Sequence, residues 1–360
     1  MIGFENIEFR EPSYQKLIKL LTQETKINFD YYHRKFIERR IKARMTRVHC
    51  HTVDSYYKYV LSNSDEVKKF IDCFNINYSY FFRNWDVFEQ FQNLFLEIMN
   101  YKRDLIGGNL RPSTQNIKPP REKKFQKKEN SVEKQKNKNA FSSNFDYDAI
   151  IKYKLEKKST ISHNTIDLLL SQMSLYKKIK DSRSWNNTLY IWSCPCASGE
   201  ESYSIAMILD NLRKQIQNFP MYRIVASDID NEAINKAKIG IYSDDSMKEV
   251  SQFFESNYFT KKRENFGYKY SISEEIKKKV EFFEEDVTKS HSKSWKYDVI
   301  FCRYLLIYFN KTNRNEFIGI IEKRLNEGGL LILGKTETLF NSYRSFKLID
   351  ATNHIYIKSN

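Results

Sequence analysis

Leu189-Tyr190-Ile191-Trp192-Ser193-Cys194-Pro195-Cys196-Ala197-Ser198-Gly199-Glu200 is an apolar run that breaks into a tight turn. Four apolar residues bounded by turn formers read as a short buried strand. A helix follows from about Glu200, with Ile205, Ala206, Ile208 and Leu209 on its inner face. The pattern then repeats. Tyr222–Asp228 reads as a strand, 231–239 as a helix, Val280–Phe283 and Tyr297–Cys302 as strands, 311–326 as a helix and Gly329–Leu333 as a strand. Strands alternating with helices predict a parallel sheet wound in right-handed βαβ units. Two closing strands, around Phe346–Ile349 and His354–Ile357, fit an antiparallel hairpin on its edge.

In such folds ligands bind beyond the carboxyl ends of the strands, where helix N-termini present backbone N–H groups. Gly199 marks that end of the first strand and Asp228 that of the second. An acid at this position is placed to accept hydrogen bonds from ribose hydroxyls. The full Gly-x-Gly-x-x-Gly fingerprint is absent, so a nicotinamide-dependent enzyme is a poor fit.

Residues 12–75 carry helical patterns only. Pro12-Ser13 opens one helix. Asp30 is a candidate cap for a second, with Ile37, Ile41, Met45 and Val48 on its apolar stripe. A third runs from about Asp54 to Phe74. Arg40, Arg44 and Arg47 fall together on another face of the second helix. They read either as a solvated basic face or as a docking surface for an acidic helix.

The chain has 360 residues and a net charge of +15, which makes a polyanion the first partner to consider. The charge is uneven. Residues 101–184 hold 20 Lys/Arg against 9 Asp/Glu, a net of +11, which leaves +4 for all the rest. Lys118–Lys138 has one aromatic and no apolar period, so it reads as a solvated linker and not a nucleic-acid arm. Only 165–181 within this insert shows helical spacing. The organisation predicted is a helical domain over 1–102, a basic insert over 103–186 and a catalytic α/β domain over 187–360. Five Cys make no disulfide framework, and Cys194-Pro195-Cys196 lacks the second ligand pair of a zinc site, so no metal is expected. There is neither a secretory start nor an apolar run long enough to span a bilayer, so a cytoplasmic protein is expected.

The wording of five segments carries more than their spacing. The turn Ile191–Met207 resembles the S-adenosylmethionine motif of the chemotaxis receptor methyltransferases, the CheR family. Asn77-Tyr78-Ser79-Tyr80-Phe81-Phe82-Arg83, Ala226-Ser227-Asp228-Ile229-Asp230, Ile300–Phe309 and Gly328–Glu337 match in the family's order. The resemblance covers about 12–102 and 187–357. It implies a Rossmann-like class I S-adenosylmethionine methyltransferase domain, preceded by a small all-α domain and carrying a small antiparallel β subdomain near 243–279. It implies a cytoplasmic, monomeric enzyme that moves a methyl from S-adenosylmethionine to glutamate side chains of chemoreceptors, giving γ-methyl esters in chemotaxis adaptation.

The same resemblance implies a cofactor site made of Asn77, Ser79, Arg83, Glu200, Asp228, Asp286, Val287, Arg303 and Tyr304. Arg83 and Tyr308 are expected to position the substrate carboxylate, and Arg40, Arg44 and Arg47 to dock the acidic receptor helix. Two positions depart from the family. Ser79 stands where Thr is usual, which keeps the hydroxyl. Tyr304 stands where Asn is usual, which exchanges an amide for a phenol and raises the prospect of a partly blocked pocket. A cofactor-binding adaptor without catalysis is the rival reading. A nucleic-acid methyltransferase is a second, but it needs an Asp/Asn-Pro-Pro-aromatic motif where Cys302-Arg303-Tyr304-Leu305 stands.

Overall fold

A computed structural model describes residues 7–25, 27–74, 79–106, 188–216, 219–265, 267–289, 296–339 and 343–359. Asn77, the 165–181 helix and nearly all of the insert lie outside the described residues.

The carboxyl-terminal part is built on a seven-stranded sheet. Its strands are β1 (Thr188–Ser193), β2 (Met221–Asp228), β6 (Val280–Glu284), β7 (Tyr297–Cys302), β8 (Leu325–Leu333), β9 (Phe346–Asp350) and β10 (Ile355–Lys358). Their order is β6-β2-β1-β7-β8-β10-β9, parallel from β6 to β8, with the closing pair antiparallel on the edge. β7 is buried at every position, including Asp298, which accepts from the Tyr190 N–H at 2.9 Å and the Asn326 side chain at 2.9 Å. A buried carboxylate is tolerable only with such partners. Helix Lys311–Arg324 ends two residues earlier than expected, because β8 already begins at Leu325.

A second, three-stranded antiparallel sheet is inserted after helix Asn231–Ile239. It consists of β3 (Ile241–Ser243), β4 (Phe259–Glu264) and β5 (Gly267–Ile272) in the order β3-β5-β4. Tyr242, Phe254, Tyr258 and Tyr270 are its buried aromatic residues, while Tyr268 is exposed.

Among the described residues the amino-terminal unit has four α-helices: α1 (Glu11–Thr25), α2 (Arg34–Arg47), α3 (Val53–Ser62) and α4 (Ser64–Phe74). They share one core around Leu17, Leu21, Ile41, Tyr56 and Phe70. Three expectations need correction here. The helix expected over Asp54–Phe74 is two helices, broken at Asn63, whose side chain turns back to the Tyr59 carbonyl at 2.9 Å. Asp30 does not cap α2. It sits in a 3₁₀ turn, Phe29–Tyr31, and His33 occupies the cap position. The helical unit also stops near Phe74. The fifth helix, α5 (Trp85–Ile106), belongs to the sheet domain, where Phe88 and Phe91 pack on Phe301 at centroid distances of 6.2 and 5.1 Å.

The arginine face of α2 also comes apart. Arg47 is exposed and Arg40 half-buried, but Arg44 is 7% exposed and points into the helical core. Its guanidinium makes a two-pronged pair with Glu66 at 2.9 and 2.7 Å, and the Tyr56 hydroxyl donates to the same carboxylate at 2.8 Å. Burial raises the Tyr56 phenol far above its ordinary range. Arg44 therefore cannot belong to a docking surface. Arg44→Met should destabilise the helical unit by about 3 kcal/mol, because it strands the Glu66 carboxylate in the core. Denaturant unfolding followed by circular dichroism checks this, and a loss under about 1 kcal/mol would contradict it.

Candidate functional site

Two backbone devices shape the end of β1. Gly199 caps helix Glu200–Gln215 with φ +91°, and a Cβ there would lie 2.8 Å from the Ala237 Cβ and 3.1 Å from the Phe282 ring. Both the left-handed backbone and the close approach require glycine. Asp228 then binds the turn from the neighbouring strand. One carboxylate oxygen accepts the Ala197 N–H at 2.8 Å and the other the Asp230 N–H at 3.0 Å. Asp230 caps the next helix by accepting from Glu232 and Ala233.

Beside this turn lies a small cleft lined by Tyr32, Pro195, Asp228, Asp286, Val287 and Phe309 among others. Asp228, Asp286 and Val287 thus meet at one opening at the strand ends. Burial pushes the Asp228 carboxyl up to about 6, against the two backbone N–H groups that favour its ionised form. The Asp286 carboxylate is already engaged by Thr288, through its N–H at 3.1 Å and its hydroxyl at 2.6 Å.

The other expected residues gather on the far side of the same turn. Ser198 and Ser246 donate to Glu200 at about 3 Å, and Ser79 adds a third side-chain hydrogen bond. Burial raises the Glu200 carboxyl, and these hydroxyls oppose the rise. The segment leading to Arg83 is pinned at its backbone. Phe81 N–H donates to the Ser246 carbonyl at 3.0 Å and Phe82 N–H to the Ser204 hydroxyl at 2.9 Å. Both Phe rings are fully buried, Phe81 against Tyr242 and Phe259, Phe82 against Phe254. Phe82 and Asn84 take positive φ, 58° and 63°, so the chain reverses sharply around Arg83, whose guanidinium lies over the Tyr304 ring.

Arg303 stands behind that reversal and not in the open cleft. Its guanidinium, 1% exposed, donates to Glu201 at 3.0 Å, to the Arg83 carbonyl at 2.8 Å and to the Asn84 side-chain oxygen at 2.8 Å. Glu201 and Asn84 received no role from the sequence. Glu201 is simply the second of two consecutive acids, and only the folded chain brings it to Arg303. Glu337 was likewise missed. It is 1% exposed and accepts three backbone N–H groups, from Tyr304 at 2.6 Å, Leu306 at 2.7 Å and Gly334 at 2.8 Å. That one carboxylate fixes the loop that carries Tyr304 and Tyr308. Burial raises the Glu337 carboxyl, and the three N–H donors oppose the rise.

Tyr308 lies where the helical unit meets the sheet domain. The His33 N–H donates to its carbonyl at 2.8 Å, and its ring tilts against Phe36 at 4.8 Å. Arg40 lies over the other neighbour of this contact, the Phe36 ring, at 5.1 Å. Burial raises the Tyr308 phenol, while the charges of Arg40 and Arg83 pull it back down. Arg40, Arg83 and Tyr308 therefore converge on one region, from α2, from the Phe-Phe-Arg reversal and from the loop after β7. Arg47 is the last residue of α2 and is exposed. Among those residues no cluster of His, Cys, Asp and Glu is arranged to hold a metal ion, and no helix is long and apolar enough to cross a membrane.

Comparisons with known proteins bear on this arrangement. The family model described as the CheR methyltransferase all-alpha domain matches residues 12–74, the four-helix unit. The one described as the CheR methyltransferase SAM binding domain matches 162–355, starting inside the segment read above as the insert. "Chemotaxis protein methyltransferase 2" of Vibrio cholerae is 35% identical over 41% of this chain and 51% of its own length. The "Chemotaxis protein methyltransferase" of Borreliella burgdorferi is 32% identical over 46% of this chain and 57% of its own length. That of Listeria monocytogenes is 30% identical over 55% of this chain and 70% of its own. The chain thus spans little more than half the length of the first two. The sheet domain is the S-adenosylmethionine-binding domain of its family, and the chain belongs to the CheR methyltransferase family.

Proposed function

We propose that the protein transfers the methyl group of S-adenosylmethionine to glutamate side chains of chemotaxis receptors, forming γ-methyl esters. The observation that carries this reading is that the charges of Arg40 and Arg83 both act on the Tyr308 phenol, whose ring packs on Phe36 under Arg40, two cations and a phenol suited to a carboxylate. The residues fit the cofactor. A buried carboxylate with free lone pairs, Asp228, suits ribose hydroxyls, and Pro195 and Val287 give the cleft apolar walls for a base. Glu200 and Arg83 offer opposite charges to an amino-acid tail.

When bound, S-adenosylmethionine supplies an electrophilic methyl, whose C–S bond breaks as the O–C bond to the glutamate forms. A glutamate carboxylate is ionised at neutral pH, so no general base is required. The protein's part is to strip water from that carboxylate and hold it in line. Arg83 and Tyr308 take that role, the first by charge and the second by donating its phenolic hydrogen. Ser79 serves the cofactor side, Asn77 is assigned to it by the family resemblance alone, and Arg303 and Tyr304 act on it through the loop they hold. Arg40 and Arg47, with Arg44 withdrawn into the core, remain the basic groups of α2 that an acidic receptor helix would meet. A monomer in the cytoplasm suffices for this chemistry.

The adaptor reading would require a disabled carboxylate site; the Arg40 and Arg83 charges acting on the Tyr308 phenol favour catalysis over it. Arg83→Ala should lower methyl transfer to a receptor fragment by about 100-fold or more, and Tyr308→Phe by about 10-fold. Tyr308→Phe should leave S-adenosylhomocysteine affinity within about threefold, since the phenol serves the carboxylate. Radiolabel transfer and calorimetry read the two quantities, and an unchanged rate in Arg83→Ala would remove that residue from the site.

The Asp228 carboxyl near 6 gives a second expectation. Cofactor binding needs its ionised form, so the proton competes with the ligand as pH falls through 6. S-Adenosylhomocysteine affinity should be level above pH 7 and about tenfold weaker at pH 5. Asp228→Asn should bind weakly at both pH values, with that dependence removed. A wild-type affinity flat between pH 5 and 7 would contradict the assignment.

A further inference from the structure

The phenol of Tyr304 has a definite place in the structure. Its backbone has φ +62°, a left-handed conformation that asparagine tolerates and a bulky aromatic residue rarely adopts. The strained position is imposed from both sides. Glu337 captures the Tyr304 N–H at 2.6 Å, and the ring rests on Gly334, where a Cβ would come within 3.1 Å of the Tyr304 Cδ1. The ring is thereby laid flat under Arg83, whose guanidinium carbon is 3.8 Å from the ring centroid. The hydroxyl at the far end donates to the Asn84 side-chain oxygen, the same atom that Arg303 holds. Arg303 itself lies 5.3 Å from the ring.

We propose that Tyr304 is a positioning residue for Arg83. Its ring is a platform that fixes the guanidinium where the substrate carboxylate must lie, and its hydroxyl locks that platform to the Phe82–Asn84 reversal. The proposal rests on the functional reading above and gives the unusual residue a purpose within it. A contact through the ring face suits the task. Arg83's N–H donors lie in the guanidinium plane, so stacking on a ring orients the group without consuming the donors that a carboxylate ligand would use. A carboxylate in the place of Tyr304 would orient Arg83 equally well but neutralise it. An amide there would have neither the ring face nor the reach to Asn84.

Three variants test this: Tyr304→Phe keeps the platform and loses the lock, Tyr304→Leu removes the ring, and Tyr304→Asn removes it while relieving the left-handed backbone. Asparagine suits the positive φ, so that variant should fold even if the leucine one does not. Two readouts are taken on the full chain. The first is the Arg83 Nε–H proton resonance, assigned by its loss in Arg83→Lys; the ring current should hold it upfield in the wild type and in Tyr304→Phe, and release it in Tyr304→Asn and Tyr304→Leu. The second is steady-state methyl transfer to a receptor cytoplasmic fragment. Here kcat should fall roughly tenfold in Tyr304→Asn, with recovery to within about threefold of wild type in Tyr304→Phe.

An upfield resonance lost together with kcat supports the proposal. A resonance unmoved in Tyr304→Asn overturns the platform, and a resonance released without change in kcat overturns its role in positioning. If the wild type transfers no methyl group to any receptor fragment, the functional reading fails. The resonance then still decides whether Tyr304 seats Arg83.

Discussion

The buried guanidinium of Arg303 is the interaction on which the site depends. It sits at the carboxyl end of β7, yet its three hydrogen bonds reach Glu201 on the helix after the glycine turn and both Arg83 and Asn84 in the segment entering α5. Three pieces of chain, distant in sequence, are held in register by one planar group. Removing a guanidinium from water costs several kcal/mol, recovered only with good geometry and satisfied partners. Glu201 meets that condition, since it also accepts the Ser193 hydroxyl at 2.9 Å. The left-handed residues around Arg83 persist because this fixed charge over-determines them.

Glu337 does for the loop after β7 what Arg303 does for the segment before α5. Its three N–H donors all come from backbone, so the loop's path is set without regard to the side chains it displays. The chain thus places an anion behind one loop and a cation behind another, and leaves Arg83, Arg40 and Tyr308 in front. The helical unit supplies the last of these contacts through the His33 N–H and the Phe36 ring. A small all-helical domain that would otherwise seem an appendage is, in this arrangement, one wall of the site.

Much of the fold was legible in the sequence because periodicity and turn chemistry act locally. The β1 run into Gly199, the acid at the end of β2 and the closing hairpin follow from short windows. Motif wording singled out Arg83, Glu200 and Asp228 as candidates. What failed depended on distant partners. Arg44 has the same helical spacing as Arg40 and Arg47, and nothing within α2 announces that Glu66 and Tyr56 wait beneath it. The break at Asn63 is hidden by continuous apolar spacing on both sides. Phe88 and Phe91 look like any amphipathic stripe, so α5 could be assigned to a domain only once Phe301 was seen beneath them. Arg303 is the sharpest case. Its hydrogen bonds to Glu201, Arg83 and Asn84 join segments far apart in the chain, which spacing cannot encode. The net charge of +15 proved the least informative number, since the groups at the site are few and their effect comes from burial and placement.

The central claim is that this site methylates carboxylates. It is tested most directly by incubating the full chain with isotopically labelled S-adenosylmethionine and a receptor cytoplasmic fragment, followed by peptide mass spectrometry. The account predicts a gain of one methyl on specific glutamates, released as methanol by mild base, and no gain where those glutamates are replaced by glutamine. A protein that binds the cofactor but leaves every receptor glutamate unmodified, or whose label is stable to base, would contradict it.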